Sequence, residues 1–511
     1  MKRPIGFLAF AAVALFLAGC QDDTPLEPID ASPSFAQAVA ESQVSGFEYA
    51  DHYIMGYYYL SQEARDLIAD AGGSIYRQWP TGYGAVGGIS EDDAEELENM
   101  DGITSVTRDI IIQWIPDAET FQGEAHEGPS TESDQSGAGF FPTFQWNMRQ
   151  IDADDAWLTT NQGDGTTIAI LDTGIDPFHL DLFGKVDLGR STSTLSSPSI
   201  CDLFVDDQGT ILDFNFHGTF VGALASANGI AMASVAPDAT LIGVKVLSCL
   251  GTGSFADVND GIVHATDVGA DVINMSLGAL LATEPEDEAL EEAIEELIDF
   301  LQAGIDFAVD NGVFVVASSG NGGLNFDDLP DVGDCFPPSF GFGPGSCDDL
   351  DVIHVPSMLD DVLSVGATAP IGQMNFDQLT SYSNFGDDGA DVMAPGGRST
   401  PFTGPFGLPV DGIMSACSQD SLFFFCGGGN FYLFGFTGTS FSSPLAAGTA
   451  AVVIGEGEDP DDCVVDGADE IEDLSPEERI NVLGAAQCES LDEDDDDDDD
   501  DDEDDEEGGN N

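Results

Sequence analysis

Short apolar runs recur along the middle of the chain: TTIAILD (166–172), ATLIGVKVL (239–247), DVINMSL (271–277), GVFVVASS (312–319) and VLSVGAT (362–368). Each is nearly continuous in hydrophobic character instead of alternating. Helical patterns lie between several of them. A strand that is apolar on both sides must be covered on both faces. The pattern therefore predicts an α/β region over 145–455, a three-layer parallel sheet between helices. In such sheets, sites form beyond the carboxyl ends of the strands, so the residues just after these runs are candidates.

Residues 48–115 carry a different rhythm. HYIMGYYYL, YGAVGGIS and TSVTRDIIIQWI are strand candidates. SQEARDLIADAG has helical spacing, an N-terminal Ser and a closing Gly, and SEDDAEELENM opens on a Ser with an acidic first turn. The predicted order, β-α-β-β-α-β, fits a small α+β ferredoxin-like domain. Between the two regions, 116–144 is polar and rich in Gly and Ser, the composition of a cleavable linker. Residues 456–490 read as a C-terminal extension. The tail, 491–511, holds an unbroken Asp494–Asp502 run that cannot bury a core, so disorder is expected there.

The first residues read as an export signal. Lys2 and Arg3 precede the apolar run IGFLAFAAVALFLAG, which is shorter than a typical spanning helix, and LAGC follows the lipobox pattern. Removal of 1–19 would leave lipid on Cys20, with 20–47 as a tether, and would make the chain a bacterial cell-envelope lipoprotein, or a secreted protein after processing. The eight cysteines that remain point to disulfides in an exported chain. Short loops favour Cys335–Cys347 and Cys417–Cys426, leaving Cys201–Cys249 and Cys463–Cys488. Against 96 Asp+Glu stand 11 Lys+Arg, a formal net charge of −85. No cationic footprint is left for phosphates, so nucleic acid is excluded as a partner. The charge fits salty surroundings and structural calcium. No close Cys/His cluster has zinc-finger spacing and HExxH is absent, so no cofactor for chemistry is expected.

Four residues stand where a site would form. Asp172 ends a strand run, His217 opens the Gly-rich segment HGTFVGALASANG, Asn321 follows another strand run, and Ser440 precedes the Ala-rich run of FTGTSFSSPLAAG. Taken singly, Asp172 and Asn321 are ordinary turn residues, His217 is a structural histidine and Ser440 is a helix cap. Taken together, ILDTGID, HGTFVG, SSGN and GTSFSSP occur in the order of the subtilisin-like serine proteases, and residues 145–455 resemble that family. The resemblance implies an endopeptidase acting on proteins or peptides. Ser440 would be its nucleophile, His217 its general base, Asp172 the partner of the imidazole and Asn321 an oxyanion donor. It also implies that 48–115 is an inhibitory prodomain, the molecule's own intramolecular partner, and that the precursor processes itself.

The resemblance further places substrate-binding segments at Ser276, Leu277 and Gly278, and at Ala317, Ser318, Ser319 and Gly320. Such small walls leave space for an apolar side chain before the cleaved bond. Phe220 departs from the family, which places a second histidine there, and altered packing is expected. Insertions at 280–300, 324–350 and 398–430 would form cleft rims or decoration. The family's calcium ligands do not transfer, so no metal residue is named. A catalytically silent, protease-like binding protein is the alternative. An α/β-hydrolase esterase would want a Gly-x-Ser-x-Gly elbow and Ser before His in the chain, and neither is present.

Overall fold

The apolar runs become strands because each is buried on both sides. In the computed structural model, Ile168 and Ile170 of one strand enter one hydrophobic core while Ala169 and Leu171 enter a second on the opposite face. The structure describes residues 48–115, 125–128, 135–196, 199–203, 205–283, 288–329, 352–423, 426, 430–471 and 474–488. The signal, Cys20, the tether, the Cys335–Cys347 pair and the acidic tail lie outside them.

The first region runs β1 (Glu48–Tyr57), α1 (Gln62–Asp70), β2 (Ser74–Gln78), β3 (Tyr83–Gly87), α2 (Glu91–Glu98) and β4 (Ile103–Gln113). This is the order read from the sequence. The cap signals act as expected: Ser61 accepts the Ala64 N–H, and Ser90 forms a capping box with Asp93. The strands lie antiparallel in the order β2-β3-β1-β4. Met55, Ile68, Val86 and Leu97 form a small core under α1 and α2.

The larger region continues with β5 (Ala125–Glu127), short helices between Phe141 and Ala156, β6 (Thr167–Asp172), β7 (Thr192–Ser193), α3 (His217–Ala225), β8 (Thr240–Lys245) and β9 (Thr252–Ser254). Then come α4 (Phe255–Asp267), β10 (Val272–Met275), β11 (Ala279–Ala282), α5 (Glu288–Asp310), β12 (Phe314–Ser318), β13 (Val352–Val355), β14 (Val362–Ala369) and β15 (Gln378–Leu379). The chain closes with β16 (Val392–Pro395), β17 (Ile413–Ala416), β18 (Phe431–Phe436), α6 (Ser443–Glu456), α7 (Pro460–Asp466), β19 (Asp469–Glu470), β20 (Glu478–Arg479) and α8 (Val482–Gln487). The main sheet has the order β19-β20-β16-β14-β12-β10-β6-β8-β7, with β15 on β14. It is parallel from β20 to β7, and antiparallel only at β19 and β15. Helices α3 and α6 cover one face, through Phe220, Val221 and Leu445; α4 and α5 cover the other, through Phe255, Val258 and Phe300.

Several boundaries differ from the sequence reading. Residues 135–144, placed in the linker, pack into the larger region. Phe141 and Phe144 are buried in its core, and the Gln135 side chain donates to Ala227 O and accepts the Ser234 N–H. Two aromatics in a polar stretch are enough to order it, because each buries a large apolar area. The extension after 455 supplies α7, β19, β20 and α8, which finish one edge of the sheet. Of the expected insertions, 280–300 includes the first half of α5, whose Phe300 lies in the core. The 398–430 segment contributes β17, which pairs with β18 and through it with β5. Both contribute packed elements, while Phe406 and Phe423 of the second are exposed.

Cys201–Cys249, Cys417–Cys426 and Cys463–Cys488 are bonded, as expected. Among the described residues no helix is long and apolar enough to cross a membrane.

Candidate active site

Asp172 is the last residue of β6, where its carbonyl receives the Val246 and Leu247 N–H groups. Its carboxylate is fully buried, and both oxygens lie 2.9 Å from His217 Nδ1. One of them also accepts the Thr173 N–H at 2.6 Å. His217 is the first residue of α3. The helix start can approach the strand end because its second residue is glycine: a Cβ on Gly218 would meet Gly174 O at 2.0 Å.

Asp213, which the sequence reading passed over, fastens this corner. It accepts from Thr173 Oγ1, from the Asn215 N–H, and from both the N–H and Oγ1 of Thr219. Burial pushes its pKa up, opposed by the Thr219 bonds and by Lys245. Lys245, at the end of β8, is itself buried. Its Nζ lies 3.0 Å from Asp207 Oδ1 and also donates to Thr173 O.

Ser440 lies in the 3₁₀ turn Thr439–Phe441, just ahead of α6. Ser442, not Ser440, holds the N-cap position. Ser442 and Ser443 are packing residues, as expected: Ser442 Oγ donates to Ala394 O, and Ser443 Oγ meets Ser276 Oγ at 2.8 Å. The histidine comes to this turn through its neighbour, since the His217 and Phe441 rings are 5.8 Å apart. Phe220 supports that wall from behind, 4.6 Å from Phe441 and 5.1 Å from Phe436. An aromatic stack thus takes the place of the second histidine expected in the family.

Asn321 follows β12. Its Oδ1 accepts from the Thr439 N–H at 2.9 Å and from Thr439 Oγ1 at 3.1 Å. These bonds fix which end of the amide is oxygen and therefore which end is the donor. Thr439 Oγ1 also accepts the Gly320 N–H, so one threonine fastens the Asn321 loop to the Ser440 turn. Asn384 secures the same loop by receiving the N–H groups of Gly322 and Leu324 and donating to Ser319 O. Neither Thr439 nor Asn384 was singled out from sequence, although Thr439 stands in the quoted stretch GTSFSSP.

The expected substrate-binding segments flank this turn, but most of their side chains face inward. Ser276 Oγ donates to Ser440 O at 2.8 Å. Leu277 and Ala317 belong to the core beneath the sheet, Ser318 is buried at the end of β12, and Ser319 Oγ donates to Asn384 O. What these segments offer a ligand is main chain, at Gly278 and Gly320 above all. Gly278 is already engaged: its N–H donates to Trp114 O at 2.9 Å.

Residues 163–470 match the Subtilase family, Peptidase S8. This chain belongs to the subtilase family. The subtilase is similar to the thermophilic serine proteinase of Bacillus sp. strain AK1, 30% identical over 321 residues, which are 62% of this chain and 59% of that protein. It is also similar to thermitase of Thermoactinomyces vulgaris, 33% identical over 194 residues, 37% of this chain and 60% of that protein. The matches thus span about three fifths of each relative's length. Among solved structures, the epidermin leader peptide processing serine protease of Staphylococcus aureus has the same fold, with a TM-score of 0.65 at 20% identity, covering 85% of this chain and 97% of that one.

Among the described residues of this subtilase, one grouping of ligand types is close enough to share a cation: Cys201, Asp207 and Cys249. Its two sulfurs are bonded to each other and its carboxylate faces Lys245, so it does not fit calcium, which takes oxygen ligands.

Proposed function

We propose that this subtilase is an exported serine endopeptidase, made as a precursor whose first domain blocks the cleft. The observation that carries the reading is the buried Asp172–His217 pair beside a Ser440 turn that Thr439 locks to Asn321. Ser440 Oγ attacks the scissile carbonyl while His217 takes its proton and later delivers it to the leaving amine. Asp172 receives the Nδ1–H, fixes the tautomer and stabilises the imidazolium. The Asn321 amide and the Ser440 N–H receive the oxyanion. Replacing Asn321 by Ala should lower kcat roughly 10²–10³-fold with little change in KM, as steady-state hydrolysis of one peptide would show. An equal loss in KM alone would make Asn321 a binding residue instead.

Inhibition by the first domain rests on how its last strand docks. Residues Ile111, Ile112 and Gln113 of β4 pair antiparallel with Ser254, Gly253 and Thr252 of β9. Beyond them, Trp114 and Ile115 direct their N–H groups at Gly251 O while Trp114 O receives the Gly278 N–H. The chain lies between two main-chain segments as an extended peptide substrate would. Asp109 strengthens the dock by accepting the N–H groups of Phe255 and Ala256 at the start of α4. Because β5 pairs with β18 and 135–144 belong to the folded region, self-cleavage would fall ahead of β5, among residues 116–124.

A fluorophosphonate probe added to the processed chain should label Ser440 and stop casein cleavage in proportion. Label on another residue, or casein cleavage that persists at full labelling, would overturn the reading. A folded chain that neither labels nor cleaves would be a silent binding protein.

A further inference from the structure

The segments after β10 and β12 hold the Ser440 turn from two sides, through Ser276 to Ser440 O and through Gly320 to Thr439. The space between these segments is filled. His354, in β13, inserts its imidazole there. A Cβ on Gly278 would stand 2.3 Å from His354 Cε1, and one on Gly320 would stand 2.5 Å from His354 Nε2. The ring therefore touches the main chain of both segments, and only glycine fits at either place.

The ring is also held from behind. Strand β13 pairs antiparallel with β11, with Leu280 opposite His354 and Ala279 opposite Val355. Ser357 Oγ lies 2.8 Å from His354 Nδ1 and 3.3 Å from its carbonyl oxygen. The His354 ring is buried, and burial pushes its pKa down to about 4, so it is a neutral, packed group near neutral pH. Nothing in the Asp172, His217 and Ser440 arrangement uses it.

We infer that His354 plugs the slot for the substrate side chain that precedes the scissile bond, and so restricts cleavage to bonds that follow Gly, Ala or Ser. A flat slot between two main-chain walls has room for one ring, and in a close-packed site a second cannot share it. The small walls alone implied space for an apolar side chain; the imidazole occupies that space. The inference rests on the endopeptidase reading above.

The test uses the processed full chain and a His354→Gly variant. Two peptides would be compared that differ only before the scissile bond, Ala against Phe, with rates normalised to probe-reactive Ser440. The parent should favour the Ala peptide by roughly 10²-fold in kcat/KM. His354→Gly should raise the Phe-to-Ala ratio by a similar factor. The parent's preference is read without any variant, so a misfolded His354→Gly does not blunt the test. A parent that cuts after Phe as readily as after Ala overturns the plug, as does an active variant with an unchanged ratio. A parent that neither reacts with the probe nor cuts either peptide overturns the endopeptidase reading and the plug with it.

Discussion

Replacing Ser440 by Ala should leave the precursor uncut and lower peptide turnover roughly 10⁶-fold, the loss that removing the nucleophile causes in this family. The change deletes one oxygen and disturbs nothing that holds the turn. Ser440 contributes its carbonyl to Ser276 and its neighbours contribute the rest, so all the supporting bonds survive. Intact mass of the chain expressed from residue 21 onward, with and without the substitution, separates the outcomes. The parent should lose its first domain and Ser440→Ala should retain it, with an unchanged thermal midpoint. If both are trimmed alike, another protease does the trimming and self-processing is wrong. If both stay whole, fold and degrade nothing, the silent reading prevails.

The second large effect is expected at Asp172→Asn. His217 Nδ1 is equidistant, at 2.9 Å, from the two carboxylate oxygens, an arrangement suited to an Nδ1–H donor. An asparagine of the same shape places an NH₂ against that nitrogen and favours the tautomer with the proton on Nε2. The imidazole then cannot accept the serine proton. The loss should be roughly 10⁴ in kcat. The fold should survive, since the bond from the Thr173 N–H needs only an oxygen, which an amide retains. Single-turnover acylation with an ester substrate checks this, because it reads proton removal from Ser440 directly. A near-parental rate would mean that the pair is structural only.

Much of this arrangement was legible in the chain because burial writes itself locally. Strands covered on both faces become unbroken apolar runs, and the residues that follow them, Asp172 and Asn321, stand at the strand ends where a site must form. The helix caps at Ser61 and Ser90 were visible for the same reason: each side chain bonds its own first turn. What stayed hidden depends on partners distant in sequence. Thr439 reaches a residue 118 positions away, and Asp109 caps a helix 146 positions further on. His354 gave one faint signal, a histidine in an otherwise apolar run, but its meaning lies in two glycines that follow other strands, Gly278 and Gly320. The linker was drawn too long because composition averages over a window and overlooks two phenylalanines that fold back.

The pairing of β4 with β9 has a consequence for what the proposed endopeptidase would digest. If the first domain is removed as proposed, β9 becomes a bare sheet edge three residues long, with the 276–278 segment on the other side of the lane that Trp114 fills. Anything that enters must present its own unpaired N–H and C=O groups on both sides over several consecutive residues. A helix has already spent those groups on itself, and an inner strand on its neighbours. The lane therefore sorts substrates by conformation before it reads any side chain. Frayed termini, long loops and unfolded chains would pass, while a well-packed protein in the same medium would be left alone until it opens.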